Sequence, residues 1–100
     1  MSTYYASKHG AGRANTIAAM QDRRPFKSGG ALSGVKEPYN SGRLTGNDYD
    51  KFHAEVPSYA VYSYSTPIAW WSPTFGWTLA ESKFSATTSS HQSLVRAALQ

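Results

Sequence analysis

The sequence predicts a small α+β fold: an antiparallel sheet of three or four strands packed by a C-terminal helix, preceded by a basic irregular N-terminal arm carrying one short helix. Three observations predict it. Between Tyr59 and Ala86, aromatic and β-branched residues come in short runs separated by Ser, Pro and Gly. From Ser89 onward, apolar residues recur at helical spacing. Ahead of Pro57, glycine, proline and positive charge dominate.

A chain of 100 residues accommodates one domain, here read as an arm and linker over residues 1–57 and a core over residues 58–100. A chain of this size buries only about 60–68% of its unfolded surface, so its core depends on every available covering element. Cysteine is absent, which excludes disulfides and thiolate metal sites. The 40% hydrophobic content with three Trp, seven Tyr and four Phe argues against wholesale disorder. No run of 18 apolar residues and no hydrophobic leader is present, so the expected setting is soluble and cytoplasmic.

In the arm, Lys8, Arg13, Arg23, Arg24, Lys27, Lys36 and Arg43 face only Asp22 and Glu37. Asn15 is the expected N-cap of a short helix over Thr16 to Arg24, stopped by Pro25. The two arginines would suit its negative C-terminal end. Asp48, Asp50 and Glu55 around Lys51 read as an acidic linker. The run Tyr59–Ser65 and, after Thr66-Pro67, the run Ile68–Trp71 read as two strands reversed at Tyr64-Ser65, with Pro67 near a strand start or on an edge. The stretch Ser72-Pro-Thr-Phe-Gly76 reads as a second turn. Trp77–Ala80 makes a third strand, and Lys83–Ala86 a short fourth.

Ser89 and Gln92 have capping-box spacing, which starts the last helix at Ser89. Downstream, His91, Leu94, Val95, Ala98 and Leu99 form one continuous stripe. Burying Leu94, Val95 and Leu99 contributes on the order of 1.5–3 kcal/mol each.

The segments Tyr62-Ser-Tyr-Ser-Thr-Pro-Ile-Ala-Trp70 and Lys83-Phe-Ser-Ala-Thr-Thr-Ser-Ser-His-Gln92 resemble a small domain of actinobacterial phage proteins, mycobacteriophages in particular, and of their hosts. Asp22-Arg-Arg-Pro-Phe and Gly30-Ala-Leu-Ser-Gly are more loosely similar to the same proteins. Ser65 and Phe84 stand where those relatives often have Gly and Tyr. The resemblance implies a phage product acting in a bacterial cytoplasm and brings no assigned reaction.

Residue chemistry supplies no catalytic constellation. His9, His53 and His91 lack ligand spacing, so no metal is expected. Ser90 and His91 are adjacent on a helix and do not face each other, which argues against a hydrolase. No Gly-rich phosphate loop or nucleophile elbow is present, and no cofactor is expected. Thr87, Thr88, Ser89 and Ser90, at a helix N-terminus, form a candidate anion site weighed against plain capping.

Two surfaces remain. The aromatic set Tyr62, Tyr64, Trp70, Trp71 and Trp77 would serve as core and as protein-contact surface, with Tyr62 and Tyr64 on one sheet face and Tyr59 on the other. Arg23, Arg24, Lys27 and Arg43, with Tyr4, Tyr5, Phe26 and Tyr39 interleaved among the basic residues, would contact nucleic acid. The favoured function is a non-catalytic phage-encoded module that binds a host protein, with self-association as a companion expectation. A small nucleic-acid-binding protein is the alternative, and a virion or assembly component the second alternative.

Overall fold

The computed structural model describes residues 4–5, 10–28, 31–81 and 86–99, with side chains for residues 16–28, 31–81 and 88–99. The elements are β1 (Tyr4–Tyr5), α1 (Gly10–Gln21), β2 (Phe26–Ser28), β3 (Leu32–Lys36), α2 (Gly46–Glu55), β4 (Tyr59–Ser63), β5 (Thr66–Ser72), β6 (Gly76–Leu79) and α3 (Ala86–Leu99). All strands join one sheet in sequence order. The strands from β2 to β6 form a five-strand antiparallel meander, and the two-residue β1 pairs parallel with β2 at one edge.

The expected count of three or four strands is therefore too low. The additional strands β2 and β3 lie in the segment read as irregular arm. Gly34 sits within β3 because the space over it is filled: a Cβ there would collide with the Tyr59 hydroxyl and stand 2.5 Å from the Phe26 ring. A glycine read as a turn signal is a packing glycine. Of the expected fourth strand, residues 83–85 lie outside the described residues and Ala86 opens α3.

β4 is buried at every position, and β5 at all but Trp71. A strand buried on both sides needs cover on both sides. On one face, Phe26, Leu32, Tyr59, Val61, Ile68 and Ala69 pack with Ala19 and Met20 of α1 and Val95 of α3. Leu94, Ala98 and Leu99 join from α3, as the stripe predicts. On the other face, Ala60, Tyr62 and Trp70 pack with Leu44, Ala80 and Phe52 of α2. Ile68 and Ala69, adjacent in sequence, share a face because the β4–β5 register shifts between Val61 and Tyr62. That bulge lies next to Pro67, whose missing donor it accommodates.

The helices depart from their expected bounds. α1 begins at Gly10 instead of after Asn15, and it ends at Gln21, so Arg23 and Arg24 lie beyond it. Arg24 N–H donates to Ala19 O and Arg23 N–H to Met20 O, with Arg23 left-handed at φ 55°, a Schellman ending followed by Pro25. α3 begins at Ala86, placing Ser89 inside the helix instead of at its cap. The acidic linker is the helix α2. Its Phe52 meets Trp70 edge-on at 5.3 Å. Glu55 accepts from Trp70 Nε1 at 3.0 Å and from Thr78 Oγ1 at 2.6 Å. Asp48, also buried, accepts from the Glu81 N–H.

Two stability predictions follow from this packing. Gly34→Ala is expected to cost about 1–3 kcal/mol by overpacking Tyr59 and Phe26. An unchanged urea midpoint would show that the rings yield. Val56, at the end of α2, is a β-branched residue at φ 47° and largely exposed. Val56→Gly is expected to stabilise by about 1 kcal/mol through relief of the left-handed backbone, read as a raised Tm; a lowered Tm would refute the strain.

Candidate functional site

The helix α2 covers only part of its sheet face. Where it stops, a surface groove of about 360 Å³ opens over Ser33 and Val35 of β3 and Tyr62 of β4. One wall is the segment from Lys36 to Asn40, and the other is the Tyr64-Ser65 turn. Strand alternation places Ser33, Val35 and Tyr62 on this face, since their register partners are Tyr62, Ala60 and Ser33.

Hydrogen bonds hold the walls. The Tyr62 hydroxyl donates to Asn40 O at 2.6 Å, joining floor to wall. Asn40 Oδ1 accepts from Gly42 N–H at 2.9 Å, and Thr66 Oγ1 accepts from Arg43 N–H at 3.1 Å. Gly42 is left-handed at φ 53° and packs so closely on Ser65 and Thr66 that a Cβ would strike their backbone. Tyr64 is itself left-handed at φ 57°, and its N–H donates to Ala31 O at 2.6 Å. Burial pushes the Tyr62 phenol up to about 12, opposed by its bond to Asn40.

The rim is aromatic and open. Tyr39 is 88% exposed and Tyr64 60%, whereas Tyr62 below them is 6% exposed. The expected protein-contact set thus divides. Tyr62 and Tyr64 line the groove, but Trp70 is fully buried against α2. Trp71 and Trp77 pack on the opposite face, where Trp77 meets Tyr59 at 5.9 Å. On this face the open rings are those of Tyr39 and Tyr64, beside β3 and β4. Sequence reasoning missed Val35, Pro38 and Asn40 as groove residues, and no local signal marks them.

The expected nucleic-acid contacts are not gathered. The Arg23 guanidinium lies 4.1 Å over the Trp71 ring, and Arg24 pairs with Asp22 at 3.4 Å. Both stand near Tyr59, whose hydroxyl donates to Arg24 O at 2.7 Å. Arg43 lies at the opposite end of β4 and β5, beside Thr66. Lys27 is exposed on β2, opposite Ser33. A second, more polar hollow of about 290 Å³ lies among Asp22, Arg23, Lys36, Glu37, Ser58 and Tyr59.

Thr87, Thr88, Ser89 and Ser90 fall in the first turns of α3. Thr88 is buried, and its hydroxyl lies 3.0 Å from Ser63 Oγ. Ser63 Oγ also lies 2.7 Å from His91 Nδ1. A serine–histidine pair therefore exists, but it joins Ser63 to His91 across 28 positions instead of Ser90 to His91. Ser63 is 1% exposed beneath α3, so the pair ties helix to sheet and offers no nucleophile to a substrate. No group of three or more His, Cys, Asp or Glu suited to a metal occurs among the described residues. No helix among them is long and apolar enough to cross a membrane.

The chain belongs to a family of unknown function (DUF8033), whose model matches residues 8–97. No curated protein and no solved structure matches.

Burial lowers the His91 pKa below 6.5, the ordinary value to which it returns on unfolding. Between the two values the unfolded chain binds a proton that the folded chain refuses. His91 thus has no pH-dependent effect above about 6.5 and an increasingly destabilising one as pH falls toward the folded value. His91→Gln is expected to flatten the loss of Tm between pH 7 and 5 relative to wild type. Parallel profiles for the two proteins would refute it.

Proposed function

We propose that this member of the family is a non-catalytic protein-binding module whose contact surface is the groove between β3 and the Tyr64-Ser65 turn. In this reading it is a phage product engaging a host protein in the bacterial cytoplasm. The carrying observation is that Tyr39 and Tyr64 stand open on opposite rims over a floor of Val35 and Tyr62. Exposed tyrosines bordering a pre-formed hollow are the arrangement from which interface hot spots are built, because two χ angles immobilise a large amphipathic surface. The hydrogen bonds from Tyr62 to Asn40 and from Arg43 to Thr66 hold the walls before any partner arrives, which lowers the ordering cost of binding. The phage setting rests on the similarity of the Tyr62–Trp70 and Lys83–Gln92 segments. The non-catalytic reading is supported by the burial of Ser63, whose hydroxyl is shared between Thr88 and His91.

Affinity capture from nuclease-treated host lysate tests the reading. The wild-type chain is expected to retain a protein that Tyr39→Ala with Tyr64→Ala loses. Removing one hot spot weakens binding by about 30-fold or more. Equal retention by both would remove the groove as the contact surface. Retention that disappears with nuclease would favour the nucleic-acid alternative, and recovery of the chain itself would indicate self-association.

A further inference from the structure

We infer that β6 pairs antiparallel with β6 of a second copy of this chain, joining the two sheets across a two-fold axis at Thr78. This edge is separate from the groove, which lies on the far side of β5 over β3 and β4.

The strand order leaves β6 at one end of the sheet, and no described strand lies beyond it. Its ladder to β5 fixes which backbone groups face outward. Ala80 N–H donates to Ile68 O at 2.9 Å, so Ile68 and Ala80 form a hydrogen-bonded pair. Bonded and non-bonded pairs alternate along an antiparallel ladder, and the register runs on through Ala69–Leu79, Trp70–Thr78 and Trp71–Trp77. Thr78 therefore turns its N–H and C=O toward β5, whereas Trp77 and Leu79 turn theirs away from the sheet. Those outward groups meet no partner among the described residues.

Edge strands are commonly kept from pairing by Lys, Pro or a bulge. Gly76-Trp-Thr-Leu79 has none of these: its four residues are uncharged, partly exposed and in unbroken register with β5. Trp77 and Leu79 pack against the core on the α1 and α3 face yet keep part of their surface open, and Phe75 beside them is 61% exposed.

The register selects the occupant. With Thr78 opposite the partner's Thr78, Trp77 lies opposite the partner's Leu79 and Leu79 opposite the partner's Trp77, so every outward residue of both strands falls in a hydrogen-bonded pair. Sliding the pair by two residues would set an outward residue against Phe75 or Glu81, whose N–H groups already donate to Ser72 Oγ and to Asp48. The central register also keeps the carboxylates of Glu81 apart, each opposite a Phe75. A lone strand from another protein would satisfy β6 but present its own far side, moving the open edge outward by one strand. Two copies joined by their terminal strands leave no open edge at the junction, and the isologous contact closes on itself.

Sedimentation and amide hydrogen exchange of the wild-type chain test the inference. A dimer is expected to form as concentration rises, with the Trp77 and Leu79 amides gaining protection in step with it. A chain that stays monomeric at high micromolar concentration, or that dimerises while both amides exchange at an unchanged rate, would overturn the pairing. Because the sequence has no cysteine, Thr78→Cys gives a second readout. A non-hydrogen-bonded antiparallel pair brings Cβ atoms to about 4.5–5.5 Å, and oxidation is expected to link two copies there. Tyr39→Cys, at the groove, is the comparison, and linkage as ready as that of Thr78→Cys would overturn the register. Leu79→Pro deletes an outward N–H that the β5 ladder does not use and is expected to weaken dimerisation about tenfold; undiminished dimerisation would refute the edge contact.

Discussion

The fold depends on the burial of β4 and β5 on both faces. Eleven of their twelve residues are buried, and a chain of 100 residues has little material with which to cover them. The meander meets this constraint by spending α1 and α3 on one face and α2 on the other. Polar groups are enlisted to fix those layers. The Ser63–Thr88–His91 contacts hold α3 to β4, and Glu55 holds α2 to β5 and β6. Such contacts add little free energy when made and cost more when broken, so they specify position more than they stabilise.

The same shortage of covering material creates the groove. α2 reaches Trp70 and Thr78 but leaves Ser33, Val35 and the outer side of Tyr62 to the segment from Lys36 to Asn40. The floor therefore belongs to the core and the rim to the surface. The base of the groove is thus held by core packing, whereas Tyr39 and Lys36 at its border are exposed.

How far the sequence discloses this arrangement varies by element. The strands β4, β5 and β6 and the turns between them were legible because aromatic and β-branched runs are interrupted by Tyr64-Ser65 and Ser72–Gly76. The stripe from Leu94 to Leu99 was legible because its period is local. α2 was not: Gly46, Asn47, Asp48 and Asp50 are weak helix formers, and the helix is fixed by Phe52 against Trp70 and by Asp48 at the Glu81 backbone, contacts spanning distant positions. β3 was hidden by Gly34, whose lack of a side chain serves Tyr59 and Phe26. Of the groove, Tyr62 and Tyr64 were legible as aromatics on a strand and its turn. Val35 and Asn40 were not, because only the β3–β4 register brings them alongside.

The shift at Ile68 carries an evolutionary consequence. One extra residue in β5 lets Ile68 and Ala69 both face α1 and α3 while Trp70 faces α2, so losing or gaining a single codon there would invert every side chain on one flank of the strand. Length variation among relatives should accordingly fall in exposed connections such as the Pro73–Phe75 turn, leaving Thr66–Ser72 a segment of invariant length across the lineage.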